Sequence, residues 1–103
     1  MPPIRVIATK IGYYNSTNFI KYINSLTRGA SYAKGFVGSN SYWKIGKNKQ
    51  IVSVSDWTSN DNWEKWLKSK ERAEIKNKYK LDVKSEEYYV LVKKKDTNNT
   101  FLL

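Results

Sequence analysis

The chain has 103 residues, a mass of 12.1 kDa, 40% apolar residues and 15% aromatics, which suits one globular domain with its own core and excludes a disordered chain. It contains no Cys and no His. That excludes disulfides, thiolate metal sites, a cysteine nucleophile, a serine–histidine triad and the usual imidazole base. The net charge of +10 comes from 16 Lys and only 3 Arg, beside 10 Asn, and the cations are spread along the chain. Such a distribution suits a lysine-rich composition or the steering of a small anion. Bidentate phosphate or guanine recognition would favour Arg.

The first residues, Met1-Pro2-Pro3, lack the charged and apolar regions of a signal peptide. No apolar run approaches the roughly 20 residues of a spanning helix. No membrane association is therefore expected, and the cytoplasm is the expected compartment.

Residues 4–9, β-branched and short, predict a first strand. Asn15 or Ser16 offers an N-cap for a helix over 16–28, with Phe19, Ile20, Ile23 and Leu26 as its apolar face. Arg28-Gly29 reads as its end. Residues 35–45 predict a second strand, 46–49 a hairpin turn, and 50–57 a third strand. Alternation places Val52 and Val54 on one face and Ser53, Ser55 and Trp57 on the other. Ser39, Ser41 and Trp43 divide the second strand in the same way. Two serine-lined faces ending in Trp fit either a polar, aromatic-walled cavity or half-solvated strands.

Ser59 predicts the N-cap of a second helix running to about residue 78, with Asp61 in its first turn and Trp63, Trp66, Leu67 and Ala73 as the buried stripe. Residues 88–93 predict the last strand, and 96–103 form a C-terminal tail after a single domain over 1–95. The order β-α-β-β-α-β is an α+β, ferredoxin-like arrangement: a four-stranded antiparallel sheet with two helices on one face. Val6, Val37, Val52, Val54, Val90 and Val92 are too many apolar strand residues for helices on one side alone. A homodimer through the bare sheet face is expected.

Trp57, Ser59, Trp63, Trp66 and Ser69 share a spacing with a known family pattern: a strand ending in Trp, Ser two residues on, an aromatic, a helical Trp, then Ser. Gly35-Phe36-Val37-Gly38 matches the glycine-aromatic start of that family's second strand. Over residues 4–93 the chain thereby resembles the antibiotic-biosynthesis-monooxygenase (ABM) family of the dimeric α/β-barrel superfamily. The resemblance implies a homodimer, a ligand cleft between sheet and helices, and for some members oxygenation of quinol- or anthrone-like aromatics by O₂ without metal or flavin. No cofactor and no metal are accordingly expected. The haem-degrading branch needs a His where this chain has Lys76 and an Asn where it has Thr9, so that activity is not expected.

For the quinol or anthrone branch, Trp66 would stack on the ring, Tyr42, Tyr88 or Tyr89 would donate to a phenolate oxygen, and Arg72 or Lys76 would stabilise the developing anion. Asn40 and Ser41 would orient a carbonyl, and Trp57 would border the cleft. Each assignment has a plainer counterpart: Trp57 and Trp63 as core, Arg72 and Lys76 as solvated helix charges. Trp66, Arg72 and Tyr42 are the candidate catalytic residues; Asn40, Ser41, Trp57, Lys76 and Tyr89 are the candidate substrate contacts. The alternative on the same fold is a non-catalytic binder of an anionic or aromatic metabolite. Nucleic acid is not an expected partner, because the aromatic-glycine signature of base-stacking sheets is absent and dimerisation would bury the sheet face.

Overall fold

A computed structural model describes residues 2–47 and 49–94. The elements are β1 (Ile4–Gly12), α1 (Phe19–Ser31), β2 (Phe36–Trp43), β3 (Gln50–Trp57), α2 (Asn60–Leu67), α3 (Lys70–Lys78) and β4 (Val83–Val92). The strands form one antiparallel sheet in the order β2-β3-β1-β4, so the two central strands are β3 and β1. This is the expected ferredoxin-like α+β architecture. The expected tail, 96–103, and Asn48 of the hairpin turn lie outside the described residues.

Register fixes the two faces. Val6 pairs with Ser55 and Val90, Ala8 with Ser53 and Tyr88, and Lys10 with Ile51 and Glu86. These residues face the helices, together with Ser39, Ser41 and Trp57. Ile7, Val52, Val54, Tyr42, Asn40, Tyr89 and Leu91 take the opposite face. The valines anticipated for a bare sheet face therefore divide. Val6, Val90 and Val92 lie on the helix side, Val52 and Val54 on the other, and Val37 is the extra residue of a bulge between Phe36 and Gly38.

Apolar spacing explains α1: Phe19, Tyr22, Ile23, Leu26 and Ala30 are all buried against the sheet. It begins three residues later than expected. Asn18 occupies the N-cap without a side-chain bond, while Ser16 Oγ accepts from the Asn18 amide just upstream. Nor does the helix end at Gly29; it continues to Ser31. A Cβ on Gly29 would lie 2.7 Å from Trp66 Cη2, so glycine here permits close approach of α1 to that ring. Gly35 instead meets a backbone need, with φ +86° in the turn before β2.

The second expected helix is two. Ser69, extended at φ −69° and ψ 150°, breaks it and caps α3 by accepting from the Arg72 amide at 3.1 Å. Its hydroxyl also donates to the Trp66 carbonyl at 2.7 Å, closing the end of α2. The break rotates α3, so that Arg72 is buried and Ala73, expected in the buried stripe, is exposed. Ser59 caps α2 as expected, accepting from the Asn62 amide at 3.2 Å. β4 starts at Val83, five residues before the expected start, which brings Glu86 into the sheet.

Candidate functional site

Between the sheet and the helices lies a cavity of about 60 Å³. Its sheet wall is Val6, Ala8, Lys10, Ser39, Ser53 and Ser55. Leu26, Thr27 and Ala30 of α1 close one side; Trp63, Trp66 and Arg72 close another. The serine faces of β2 and β3 thus do border a polar, aromatic-walled space. Edge-to-face contacts stiffen its aromatic wall: Phe36 to Trp57 at 5.4 Å, Trp57 to Trp63 at 5.6 Å and Trp63 to Tyr88 at 5.7 Å between centroids.

A second, outer groove of about 380 Å³ runs between α1 and β2, past Ile23, Asn24, Ser41, Trp43 and Ile51. Thr27 and Ser39 line both spaces and form the partition between them. The inner cavity is too small for an aromatic ring, which needs a space on the order of 150 Å³. The outer groove is large enough for one or more rings.

The polar end of the inner cavity is built around Glu86. Its Oε1 accepts from the Tyr22 hydroxyl at 2.6 Å, and its Oε2 accepts from Arg72 Nη2 at 2.8 Å, with Lys76 Nζ at 3.6 Å. Burial pushes the Glu86 carboxyl up, but the Tyr22 hydrogen bond and the charges of Lys10, Lys76 and Arg72 outweigh it and hold the group below the usual carboxylate range. Tyr22 is pushed far above the ordinary tyrosine value, first by burial and then by the Glu86 charge and hydrogen bond. Lys10 shifts the other way: burial lowers it, Glu86 opposes this, and the Arg72 and Lys76 charges add to the lowering.

The expected site residues separate into two groups. Trp66 and Arg72 line the inner cavity, as does Trp57 at 1% exposure. Ser41 lines the outer groove and shares a 3.0 Å hydroxyl hydrogen bond with Ser53. Lys76 reaches the cluster from the side with its side chain half-exposed. Tyr42, Asn40 and Tyr89 are not brought to the cavity. Pairing of Tyr42 with Val52, Asn40 with Val54 and Tyr89 with Ile7 sends all three side chains to the opposite face. Asn40 also lines the outer groove. Arg72, for which a solvated position was the plainer reading, is 7% exposed.

Lys10, Glu86 and Tyr22 were missed. The alternation Ile4, Val6, Ala8 projects Lys10 inward, but a first strand ended at Thr9 hides it. Glu86 escaped because the last strand was begun after it.

No family model and no curated protein matches the chain. Solved structures do. SnoaB, a cofactor-independent oxygenase from Streptomyces nogalater, superposes with a TM-score of 0.81 at 11% identity, over 93% of this chain and 97% of that one. A conserved protein from Methanosarcina mazei Go1 gives 0.79 at 19% identity, over 91% and 95%. A candidate antibiotic biosynthesis monooxygenase from Chloroflexus aurantiacus J-10-fl gives 0.72 at 13% identity, over 93% and 97%. At these identities the likeness is one of fold: the chain has the ABM-like fold that its Trp and Ser spacing resembled. No helix among the described residues is long and apolar enough to cross a membrane.

Proposed function

We propose that the protein is a cofactor-independent monooxygenase of the ABM type, acting on a small hydroxylated aromatic of the quinol or anthrone kind. The observation that carries this reading is the meeting of the polar Arg72–Lys10 end of the inner cavity with a wall of Trp57, Trp63 and Trp66 that shields it from water, beside a groove large enough for a ring. A phenolate held there is electron-rich, and a dry site lets it reduce O₂ directly. For a hydroquinone the balance closes without a reductant. One oxygen atom joins the ring, the other leaves as water, and the substrate supplies all four electrons, ending as the hydroxyquinone.

The volumes bear on substrate position. The ring would occupy the outer groove between α1 and β2, and its oxygen would reach the inner cavity past Thr27 and Ser39. The partition has to yield for this, so bulk at Ser39 would slow turnover. The protomers would pair through the sheet face that carries Ile7, Val54, Tyr42 and Leu91, giving the two-sheet barrel of the superfamily.

The test is O₂ uptake with a panel of hydroquinones and anthrones. The wild type is expected to consume O₂ with at least one of them. Trp66→Ala is expected to lose at least tenfold in rate and Trp66→Phe less, with both variants still folded by circular dichroism. Binding of the same compounds with no O₂ uptake by the wild type would favour the alternative reading, a non-catalytic binder of aromatic or anionic metabolites.

A further inference from the structure

One cavity-lining charge is left without a partner. Lys10 is 8% exposed, points into the inner cavity, and makes no side-chain hydrogen bond and no ion pair among the described residues. A buried ammonium of this kind is costly, and a bare amine much less so. Its neighbours explain why Glu86 does not satisfy it. Both Glu86 oxygens are already engaged, by Tyr22 from α1 on one side and by Arg72 and Lys76 from α3 on the other. On the adjoining strands Lys10 lies opposite Ile51 of β3 and Glu86 of β4; the Glu86 carboxylate shares its face and favours the ammonium, but makes no ion pair with it among the described residues.

We propose that Lys10 Nζ is the proton acceptor for the substrate's acidic hydroxyl and then, as the ammonium, the counter-ion of the phenolate. The O–H bond breaks, an N–H bond forms, and the electron pair stays on the oxygen. The proposal rests on the oxygenase reading for the later fate of the phenolate, but the proton transfer stands by itself and needs no O₂.

Elimination within the cavity supports the choice. A guanidinium does not accept protons, so Arg72 is no base. The Glu86 carboxylate is stabilised as the anion by every group around it, which makes it a poor acceptor. The Tyr22 proton is committed to Glu86. The chain has no His. Burial and the two nearby cations hold Lys10 below the ordinary lysine range, the direction that makes an amine a more available proton acceptor. Substrate class is constrained by the same chemistry. A phenol or enol that is neutral in solution brings its own proton and matches a neutral amine, whereas a carboxylate arrives already ionised.

The experiment is an anaerobic titration with 4-nitrophenol, at a pH below the probe's own pKa where it is largely neutral in solution. Visible absorption reads the ionised probe, and a pH indicator in weak buffer reads protons released. The wild type is expected to show the phenolate band on binding with no proton released. Lys10→Met is expected to lose the band. Lys10→Arg, a fixed cation, is expected to keep the band but release one proton per probe bound. The idea is overturned if the wild type releases a proton, which would make Lys10 a standing cation. It is equally overturned if Lys10→Met keeps the band, or if the wild type binds the probe neutral or not at all. A phenolate band without proton release, in a protein that shows no O₂ uptake, would retain the Lys10 role while removing the oxygenase reading.

Discussion

Removing the carboxylate of Glu86 and removing the amine of Lys10 are expected to move stability in opposite directions. Glu86→Gln leaves Lys10, Arg72 and Lys76 around a neutral amide. Loss of one partner from a buried pair costs about 3–5 kcal/mol, a large share of the 5–15 kcal/mol typical of a domain. Because Glu86 is held below its ordinary value, the stability it supplies is present above the ordinary carboxylate range and is lost as pH falls through its lower folded value. Urea melts of wild type and Glu86→Gln should therefore converge in acid. Lys10→Met removes a buried amine that makes no ion pair and whose charged form burial penalises, and is expected to raise Tm by a few degrees, the size of about 1 kcal/mol in a domain of this length. Between its lowered folded value and the ordinary 10.5, Lys10 is protonated in the unfolded chain and not in the native one. Wild-type stability therefore rises with pH across that window, and the advantage of Lys10→Met should shrink toward its upper end. A variant less stable than wild type at neutral pH would show that the ammonium is satisfied after all.

At the scale of elements, Ser69 joins two helices with one hydroxyl. It donates to the Trp66 carbonyl and accepts from the Arg72 amide. Ser69→Ala is expected to cost about 1 kcal/mol for the lost cap and to loosen the Arg72–Glu86 bond, since the first turn of α3 sets the place of Arg72. A chemical melt reads the first effect. Hydrogen exchange over α3, faster in the variant with α1 unchanged, reads the second. The same residue marks where the sequence was legible and where it was not. Its spacing after Trp66 was visible, and so were the order of elements, the α1 stripe apart from Ile20, which is exposed, the Ser59 cap and the span of β3. What periodicity hid was the break, because Ser69 is an ordinary polar interruption inside a run of helix formers. The break moves Arg72 inward and Ala73 outward. Strand ends were hidden for a related reason: Lys10 and Glu86 are charged, and a charge normally ends an apolar strand pattern. They continue β1 and β4 because the two lie opposite each other at the polar end of the cavity, where Glu86 also meets Tyr22 and Arg72. The polar half of the site was thus the part least open to hydropathy, whereas its aromatic half, Trp57, Trp63 and Trp66, was plain in the spacing. Tyr42, Asn40 and Tyr89 show the complementary limit. Residue type suggested a role, and a period of two sent them to the far side.

For the whole molecule, the far side of the sheet and the net charge make a joint prediction. Ile7, Val52, Val54, Tyr42, Tyr89 and Leu91 form a face that no element among the described residues covers, and the last two are 57% and 45% exposed. The Arg5–Asp56 pair lies on the same face, with Arg5 Nε 2.8 Å and Nη2 3.1 Å from the two carboxylate oxygens. Exposed in a single protomer, such a pair adds little; under a second sheet it would be desolvated with both partners already matched. Two protomers carrying +10 each repel, while the apolar contact between their sheets does not depend on salt. Dimerisation should consequently strengthen as ionic strength rises from about 0.01 M to about 0.15 M and the Debye length falls from about 30 Å to about 8 Å. An interface built mainly on salt bridges would weaken over the same range. Sedimentation equilibrium across that series gives the sign directly. Leu91→Lys, which adds a charge to the face and removes nothing from the core, should shift the population to monomer at every salt concentration and leave Tm extrapolated to low protein concentration unchanged. A wild type that stays monomeric throughout would remove the barrel, and a cavity complete within one protomer would then have to carry any chemistry alone.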